Sequence, residues 1–347
     1  MSDLPPSIPK RRAWRSADFA SSADWVTPLG AEARADLGAA ADRLPADASK
    51  WLAEGATSAI SARLASRLGD VADELANGRG YALLRAERPE LDPGRLRAMF
   101  WLVGNALGRP ISQNARGQVL TQVIDRFAGQ PRGVDTRGYE SNDELRFHTD
   151  GGDVIGLACV RQAPAGGCNG LVSMLAIYNE FRERQPEHLE TLLRGFPIYM
   201  RKEAGDTAST RSLGKVQERR MPVFAWEQEH ASAWLNFRLT ELAAEVSGNA
   251  FSPAEQAALE AFEEIAERPD MKLSFQMEPG DMLWINNFAV MHRRDAYEDD
   301  PDPAKQRMLF RMWLNLHLAP PIAPALAGIR RGFAGPAPSI EAVEALA

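Results

Sequence analysis

Residues 147–160 read Phe147-His148-Thr149-Asp150-Gly151-Gly152-Asp153-Val154-Ile155-Gly156-Leu157-Ala158-Cys159-Val160. A polar segment enters a run of seven uncharged residues, Val154 to Val160, which reads as a buried strand. That junction is the rim of a sandwich. A histidine and an aspartate two residues apart on an extended chain point the same way, because strand side chains alternate with period two. One further histidine from a distant strand would complete a set of two histidines and one carboxylate. Such a set leaves three positions open on a six-coordinate metal, the arrangement of non-heme Fe(II) sites. With five histidines and 47 acidic residues among 347, a His-x-Asp arises readily by chance. A core histidine satisfied by hydrogen bonds is the ordinary alternative. Against it, an aspartate shares the histidine's face beside an apolar strand, where an unpaired carboxylate is costly unless it binds a cation.

The third ligand has one good candidate. His188 sits in a polar helical stretch, His230 in a charged loop and His317 near the end of the last strand, whereas His292 follows Val290-Met291. If a third ligand exists, it is His292. Further on, Arg307 and Arg311 are four apart on a strand and so share one face with Leu309 and Trp313. An inward arginine needs an anion. Either a core Asp or Glu supplies it, or the planar forks hold carboxylates of bound molecules.

Around these residues the pattern is of strands in the second half and of helices in the first half and in insertions. Ile60, Leu64, Leu68, Val71 and Leu75 form one helical stripe that stops at Asn77-Gly78. Gly80–Leu84 reads as a short strand, and Asp92-Pro93 opens a helix that Gly108-Arg109-Pro110 ends. A helical stretch runs from Ser173 toward Arg194, and Ser252-Pro253-Ala254-Glu255 is a capping box. Met271, Leu273, Phe275 and Met277 alternate with polar residues, Met282–Ile285 follows a Pro-Gly turn, and a last strand runs from Arg307 to about Leu318. The expected fold class is mainly β with helical decoration, around a double-stranded β-helix (jelly roll) core rather than alternating βαβ units. Three parts are expected: an N-terminal helical extension over 1–79, the core over 80–320, and a peripheral tail over 321–347. Residues 201–220 are basic and aperiodic, and read either as a solvated loop or as a lid over a site that accepts an anion.

Hydrophobic residues make up 45% and charged residues 25%, ordinary values for a globular protein. The net charge of −7 argues against a nucleic-acid partner. Two cysteines, Cys159 and Cys168, make neither a disulfide framework nor a cysteine-based zinc site. No apolar signal core or membrane span is visible, so a cytoplasmic protein acting on a small molecule is expected, with no membrane partner and homo-oligomerisation left open.

At these residues the chain resembles the taurine dioxygenase/clavaminate synthase-like (TauD/TfdA-like) superfamily of Fe(II)- and 2-oxoglutarate-dependent oxygenases. The resemblance covers roughly residues 80 to 318. It runs through His-Thr-Asp before a buried strand, a Pro-x-Gly-Gly turn, a Pro-Gly-Asp turn before a Trp-containing strand, His292, and then Arg-x-x-x-Arg. It implies that His148, Asp150 and His292 hold the iron. Arg307 would bind the distal carboxylate of 2-oxoglutarate, and Arg311 an acidic group of the prime substrate or the same carboxylate. Where the family often places Thr or Ser after the Gly-Gly turn, this chain has Cys168-Asn169-Gly170. Asn169 is therefore the candidate for that cosubstrate contact and Ser173 the fallback. Asn114, Tyr139 and Trp284 are candidates for the pocket wall, although such residues also serve as packing. The implied reaction uses O2 and converts the keto acid to succinate. Halogenating relatives lack the carboxylate ligand, so the presence of Asp150 favours hydroxylation or another oxidation. Two other functions remain open: a cupin-like metal enzyme without a keto acid, which gives Arg307 no role, and a non-catalytic binding protein on the same fold.

Overall fold

The computed structural model describes residues 4–52, 60–85, 92–127, 138–200, 215–217, 219–333 and 337–341. The first half contains β1 (Val26–Pro28), α1 (Ala31–Ala41), α2 (Ala62–Asn77), β2 (Tyr81–Arg85), α3 (Pro93–Leu107), β3 (Gly108–Ile111), β4 (Gln118–Val123), β5 (Leu145–His148), β6 (Val154–Arg161) and β7 (Asn169–Ser173). Then come α4 (Met174–Arg184), α5 (Leu189–Arg194), α6 (Phe237–Ser247), α7 (Pro253–Glu267), β8 (Lys272–Phe275), β9 (Met282–Asn286), β10 (Val290–Arg294), β11 (Met308–Leu316) and β12 (Ser339–Ile340). Local chemistry sets the helix ends. The Ser61 hydroxyl accepts from the Leu64 amide at the start of α2, and the Asp92 carboxylate accepts from the Arg95 amide ahead of Pro93 in α3. Ser252 and Glu255 reciprocate in the capping box of α7.

The strands just named form two sheets, and three short two-stranded pairs lie outside them among the described residues. The larger has the order β1-β2-β9-β6-β11-β4-β12, with β3 pairing the far half of β11. It is antiparallel except at its two ends, where β1 runs parallel to β2 and β12 parallel to β4. The smaller sheet, β8-β7-β10-β5, is antiparallel throughout. The two share a core, and the larger is buried on both faces. Along β11, Leu309 and Trp313 join the cluster between the sheets, whereas Met308, Phe310, Met312 and Leu314 join a second cluster with residues of α1, α2 and α3. β6 and β9 divide their side chains in the same way, which is why both read as unbroken apolar runs.

The expected weight toward β is corrected. Helix accounts for 37% of the fold and strand for 27%, a mixed α/β protein around a double-stranded β-helix. Helices pack against the outward face of both sheets, α1–α3 on the larger and α4 with α7 on the smaller. The N-terminal region also contributes a strand, β1. The tail, expected to be peripheral, returns to the sheet edge as β12, where the Glu341 carboxylate accepts from the Gln122 amide (2.8 Å) and from Arg126 (2.9 Å). Most of the expected lid over 201–220 lies outside the described residues. Of its described part, Lys215–Val216 pairs with Tyr199–Met200, and the Arg220 guanidinium is tied to the Gly195 carbonyl and to Glu255. Among the described residues no helix is long and apolar enough to cross a membrane.

Candidate metal centre

β5 and β6 belong to different sheets, and the chain crosses between them through Asp150-Gly151-Gly152. Gly152 has φ +76°, and a Cβ there would also meet the Leu314 carbonyl at 3.1 Å, so the crossing requires glycine. β5 ends at His148. Asp150 therefore lies in the crossing turn rather than on the strand, and hydrogen bonds place it where strand alternation would have. Its amide donates to Asn287 Oδ1 (3.1 Å), and its carbonyl accepts from the Trp234 indole (3.1 Å). The Asn287 amide group also donates to the carbonyl of Gly151 (3.0 Å). Thr149 is clamped by Leu235, its amide and hydroxyl both donating to that carbonyl.

His292 on β10 pairs directly with His148 on β5, with ring centroids 4.3 Å apart. The His148 Nδ1 faces the Arg146 carbonyl at 2.8 Å, which fixes that nitrogen as the donor and leaves Nε2 with its lone pair. His292 Nε2 stands 3.9 Å from Asp150 Oδ2. One ligand atom from each of His148, Asp150 and His292 lies within 4.8 Å of the others. Desolvation, and next the neighbouring His148, push the His292 imidazole down to about 3. It is thus neutral, the form that binds a metal. Two imidazoles and one carboxylate gathered on one side of a cavity fit a divalent iron with its remaining positions open.

The pH dependence of stability follows with a definite sign. The ordinary histidine value is 6.5 and the folded value of His292 is about 3. Between the two, the unfolded chain takes up a proton that the folded chain refuses, so stability rises with pH and is lost as pH falls below 6.5. Burial lowers His230 to about 4, which acts in the same direction. Urea unfolding of the metal-free protein should give a lower midpoint at pH 5 than at pH 7, with a smaller difference in His292→Gln. Equal differences in parent and variant would remove His292 as a source of acid sensitivity.

The cavity measures about 450 Å³ and lies between the sheets; His148, Asp150, His292, Asn169, Arg307 and Arg311 all line it, and Tyr139 with them. Arg307 is 2% exposed, and its Nε and Nη1 have no hydrogen-bond partner among the described residues. Its guanidinium packs over the Tyr297 ring at 5.0 Å, and desolvation lowers its pKa. Arg311, 3% exposed, lies over the Tyr139 ring at 3.6 Å and the Trp313 ring at 5.4 Å. Its Nε donates to Gln113 Oε1 (2.6 Å), while Nη2 has no hydrogen-bond partner among the described residues. Among the described residues no carboxylate forms a salt bridge with either guanidinium, although Asp299 accepts from the Arg307 backbone amide (2.6 Å) and acts on that arginine through its charge.

Three of the sequence candidates lie elsewhere. Asn114 builds its own turn, accepting from the amides of Arg116 and Gln118 and donating to the Gln118 side chain. Trp284 falls on the helix-facing side of β9 and stacks on Phe100 at 4.8 Å, because the alternation that turns Leu283 and Ile285 inward turns it outward. The Ser173 hydroxyl caps α4 and donates to the Arg12 carbonyl, which commits its single proton away from any cosubstrate carboxylate. Asn287, Trp234 and Gln113 carried no signal in the sequence, since each matters only through a partner far along the chain. Asn287→Ala should weaken Fe(II) binding about 10- to 100-fold, the usual cost of losing a group that orients a metal ligand, as measured by anaerobic titration. Unchanged affinity would mean that Trp234 alone holds the Asp150 turn.

A metal triad on the rim of a double-stranded β-helix, facing two buried arginines whose guanidinium groups form no salt bridge among the described residues, is the site of an iron oxygenase that also binds anions. The wider comparison agrees: residues 40–313 match the family described as taurine catabolism dioxygenase TauD, TfdA family, and the chain belongs to it. It is accordingly a dioxygenase that depends on Fe(II) and 2-oxoglutarate. FR-33289 synthase of Streptomyces rubellomurinus (strain ATCC 31215) is 28% identical over 312 residues, which cover 88% of this chain and 89% of that protein. The taurine hydroxylase-like protein SAT17 of Stachybotrys chartarum is 26% identical over 320 residues, 86% of this chain and 77% of that one. Among solved structures, asparagine oxygenase in complex with Fe(II), 2S,3S-3-hydroxyasparagine and succinate superposes with a TM-score of 0.65 at 15% identity. The match covers 84% of this chain and 93% of that one, and at that identity it speaks for the fold alone.

Proposed function

We infer that the protein oxidises an unactivated C–H bond of a small anionic molecule, most simply by hydroxylation, with 2-oxoglutarate leaving as succinate and CO2. The observation that carries this reading is the pair of buried guanidinium groups, Arg307 and Arg311, that face the triad cavity without a salt bridge to any described carboxylate. Two buried cations without a salt-bridge partner among the described residues call for anions. His148, Asp150 and His292 would hold the iron, which with O2 and the keto acid supplies the oxidising power. Arg307 would take the distal carboxylate of 2-oxoglutarate in a forked pair of hydrogen bonds. Asn169, at the start of β7 and on the cavity wall, would add an amide donor to the same cosubstrate.

Arg311 would take the acidic group of the prime substrate. Gln113 holds it through a reciprocal pair, since its amide nitrogen also donates to the Arg311 carbonyl (3.0 Å). A guanidinium fixed in this way positions the substrate carbon beside the metal without further loss of side-chain entropy. The name of the taurine hydroxylase-like relative points in the same direction, since taurine is a sulfonate. The test is succinate production from 2-oxoglutarate across a panel of small carboxylates, sulfonates and phosphonates. Stimulation by one anionic class supports the reading. Equal turnover with neutral amides would reject an anionic substrate, and no dependence on 2-oxoglutarate would return the cupin-like alternative.

A further inference from the structure

We propose that the segment Leu326–Phe333 is a specificity strap, whose Ile329 and Phe333 side chains form the wall that contacts the carbon body of the prime substrate. The proposal rests on the anionic-substrate reading and adds the chemistry of the rest of the molecule: an acid whose carbon skeleton is apolar. Ile329 and Phe333 both line the cavity that holds the triad. Phe333 stacks on Trp313 with ring centroids 6.2 Å apart, and Trp313 flanks the Arg311 guanidinium. The acid-binding group is thus bordered by an apolar surface to which the strap contributes.

The strap is built into the metal-bearing turn. The Ile329 carbonyl accepts from the Gly152 amide at 3.0 Å, two residues past Asp150. Arg330 forms a two-point ion pair with Asp153, Nε to Oδ1 at 2.6 Å and Nη2 to Oδ2 at 2.8 Å, and that carboxylate is 2% exposed. Beyond it Gly332, at φ +62°, reverses the chain where a Cβ would meet the Ser112 carbonyl at 2.6 Å, and this turn swings Phe333 over Trp313. Leu326 and Ile329 pack in one cluster with Trp234, the residue whose indole holds the Asp150 carbonyl. A wall anchored in this way keeps its position relative to the metal.

Its place in the chain separates the two ends of the pocket. The family match stops at residue 313, so the triad, Arg307 and Arg311 lie inside the shared part and the strap lies outside it. The shared part carries the common chemistry. The strap meets the pocket at Phe333 beside Trp313 and Arg311, and at Ile329 beside Trp234.

The experiment titrates the anaerobic Fe(II)- and 2-oxoglutarate-loaded protein with ethyl-, butyl- and hexylphosphonate by calorimetry. For the probe that binds the parent protein best, Phe333→Ala should weaken binding about ten-fold or more, the scale of lost apolar pocket contacts. The same variant should move the preference toward a longer alkyl chain, because it opens the space of a phenyl ring. Phe333→Leu should shift it less. Arg330→Met, which frees the strap while keeping both wall residues, should weaken every probe and flatten the dependence on chain length. Thermal unfolding and 2-oxoglutarate affinity serve as controls for folding. An unchanged chain-length profile in Phe333→Ala and Phe333→Leu overturns the strap proposal alone. If the parent binds none of the probes while still binding 2-oxoglutarate, the anionic-substrate reading fails, and the strap proposal with it.

Discussion

Asp150→Ala is expected to abolish succinate production while leaving the secondary structure and the thermal unfolding of the metal-free protein close to those of the parent. Asp150 stands in the crossing turn, where its backbone makes the structural bonds: the amide to Asn287 and the carbonyl to Trp234. Alanine keeps both. What it removes is the carboxylate, the one anionic member of the triad. Groups that merely orient a metal ligand are worth about 10- to 100-fold in affinity, so loss of a ligand should exceed that range and leave the centre empty at ordinary iron concentrations. His148→Ala and His292→Ala should be as damaging to turnover. Asp150→Gly opens the same coordination position with even less bulk and separates a need for the carboxylate from a need to fill the space. Near-parental succinate production by any of these variants would take that residue out of the triad.

The triad was legible because its members are few and their order along the chain is specific. With five histidines in the chain, elimination left His292, and the direct His148–His292 cross-strand pair shows why a histidine far along the sequence can serve beside His148. The inward placement of Arg311 followed from period-two alternation with Leu309 and Trp313, which β11 keeps; Arg307, expected on the same strand, lies just before it and still lines the cavity. Alternation says that two faces exist, however, and not which one meets the cavity. For β9, apolar on both faces, the choice was invisible, and Trp284 proved to lie against α3. The same double burial hid the proportion of helix, because a sheet covered on both faces needs helical layers that no single strand announces. Asn287, Gln113 and the strap share a different obstacle. Each acts through a contact more than one hundred residues away in sequence, for example Asn287 on Asp150 and Gln113 on Arg311, and local pattern carries no trace of such contacts.

Arg307→Met should separate cosubstrate binding from stability by moving them in opposite directions. In the protein alone the guanidinium is almost fully buried, two of its nitrogens have no partner, and desolvation already lowers its pKa. A buried charge without a counter-ion destabilises the fold that contains it, so a neutral side chain of similar length should leave the ligand-free melting temperature unchanged or raise it. Cosubstrate binding reverses the sign. A charge-assisted hydrogen bond to a carboxylate contributes about 1.5–3 kcal/mol, so the 2-oxoglutarate requirement should rise roughly 10- to 150-fold. Lysine should rescue only part of this, because an ammonium cannot make the forked pair. Saturating 2-oxoglutarate should raise the melting temperature of the parent, since a ligand at one hundred times its Kd adds about 2.7 kcal/mol to the folded state. That increment should shrink or vanish in Arg307→Met at the same concentration. A large fall in ligand-free stability with unchanged 2-oxoglutarate dependence would make Arg307 a packing residue. The same cosubstrate defect appearing in Arg311→Met instead would exchange the roles of the two arginines, and would place the acidic group of the prime substrate at the Tyr297 end of the cavity.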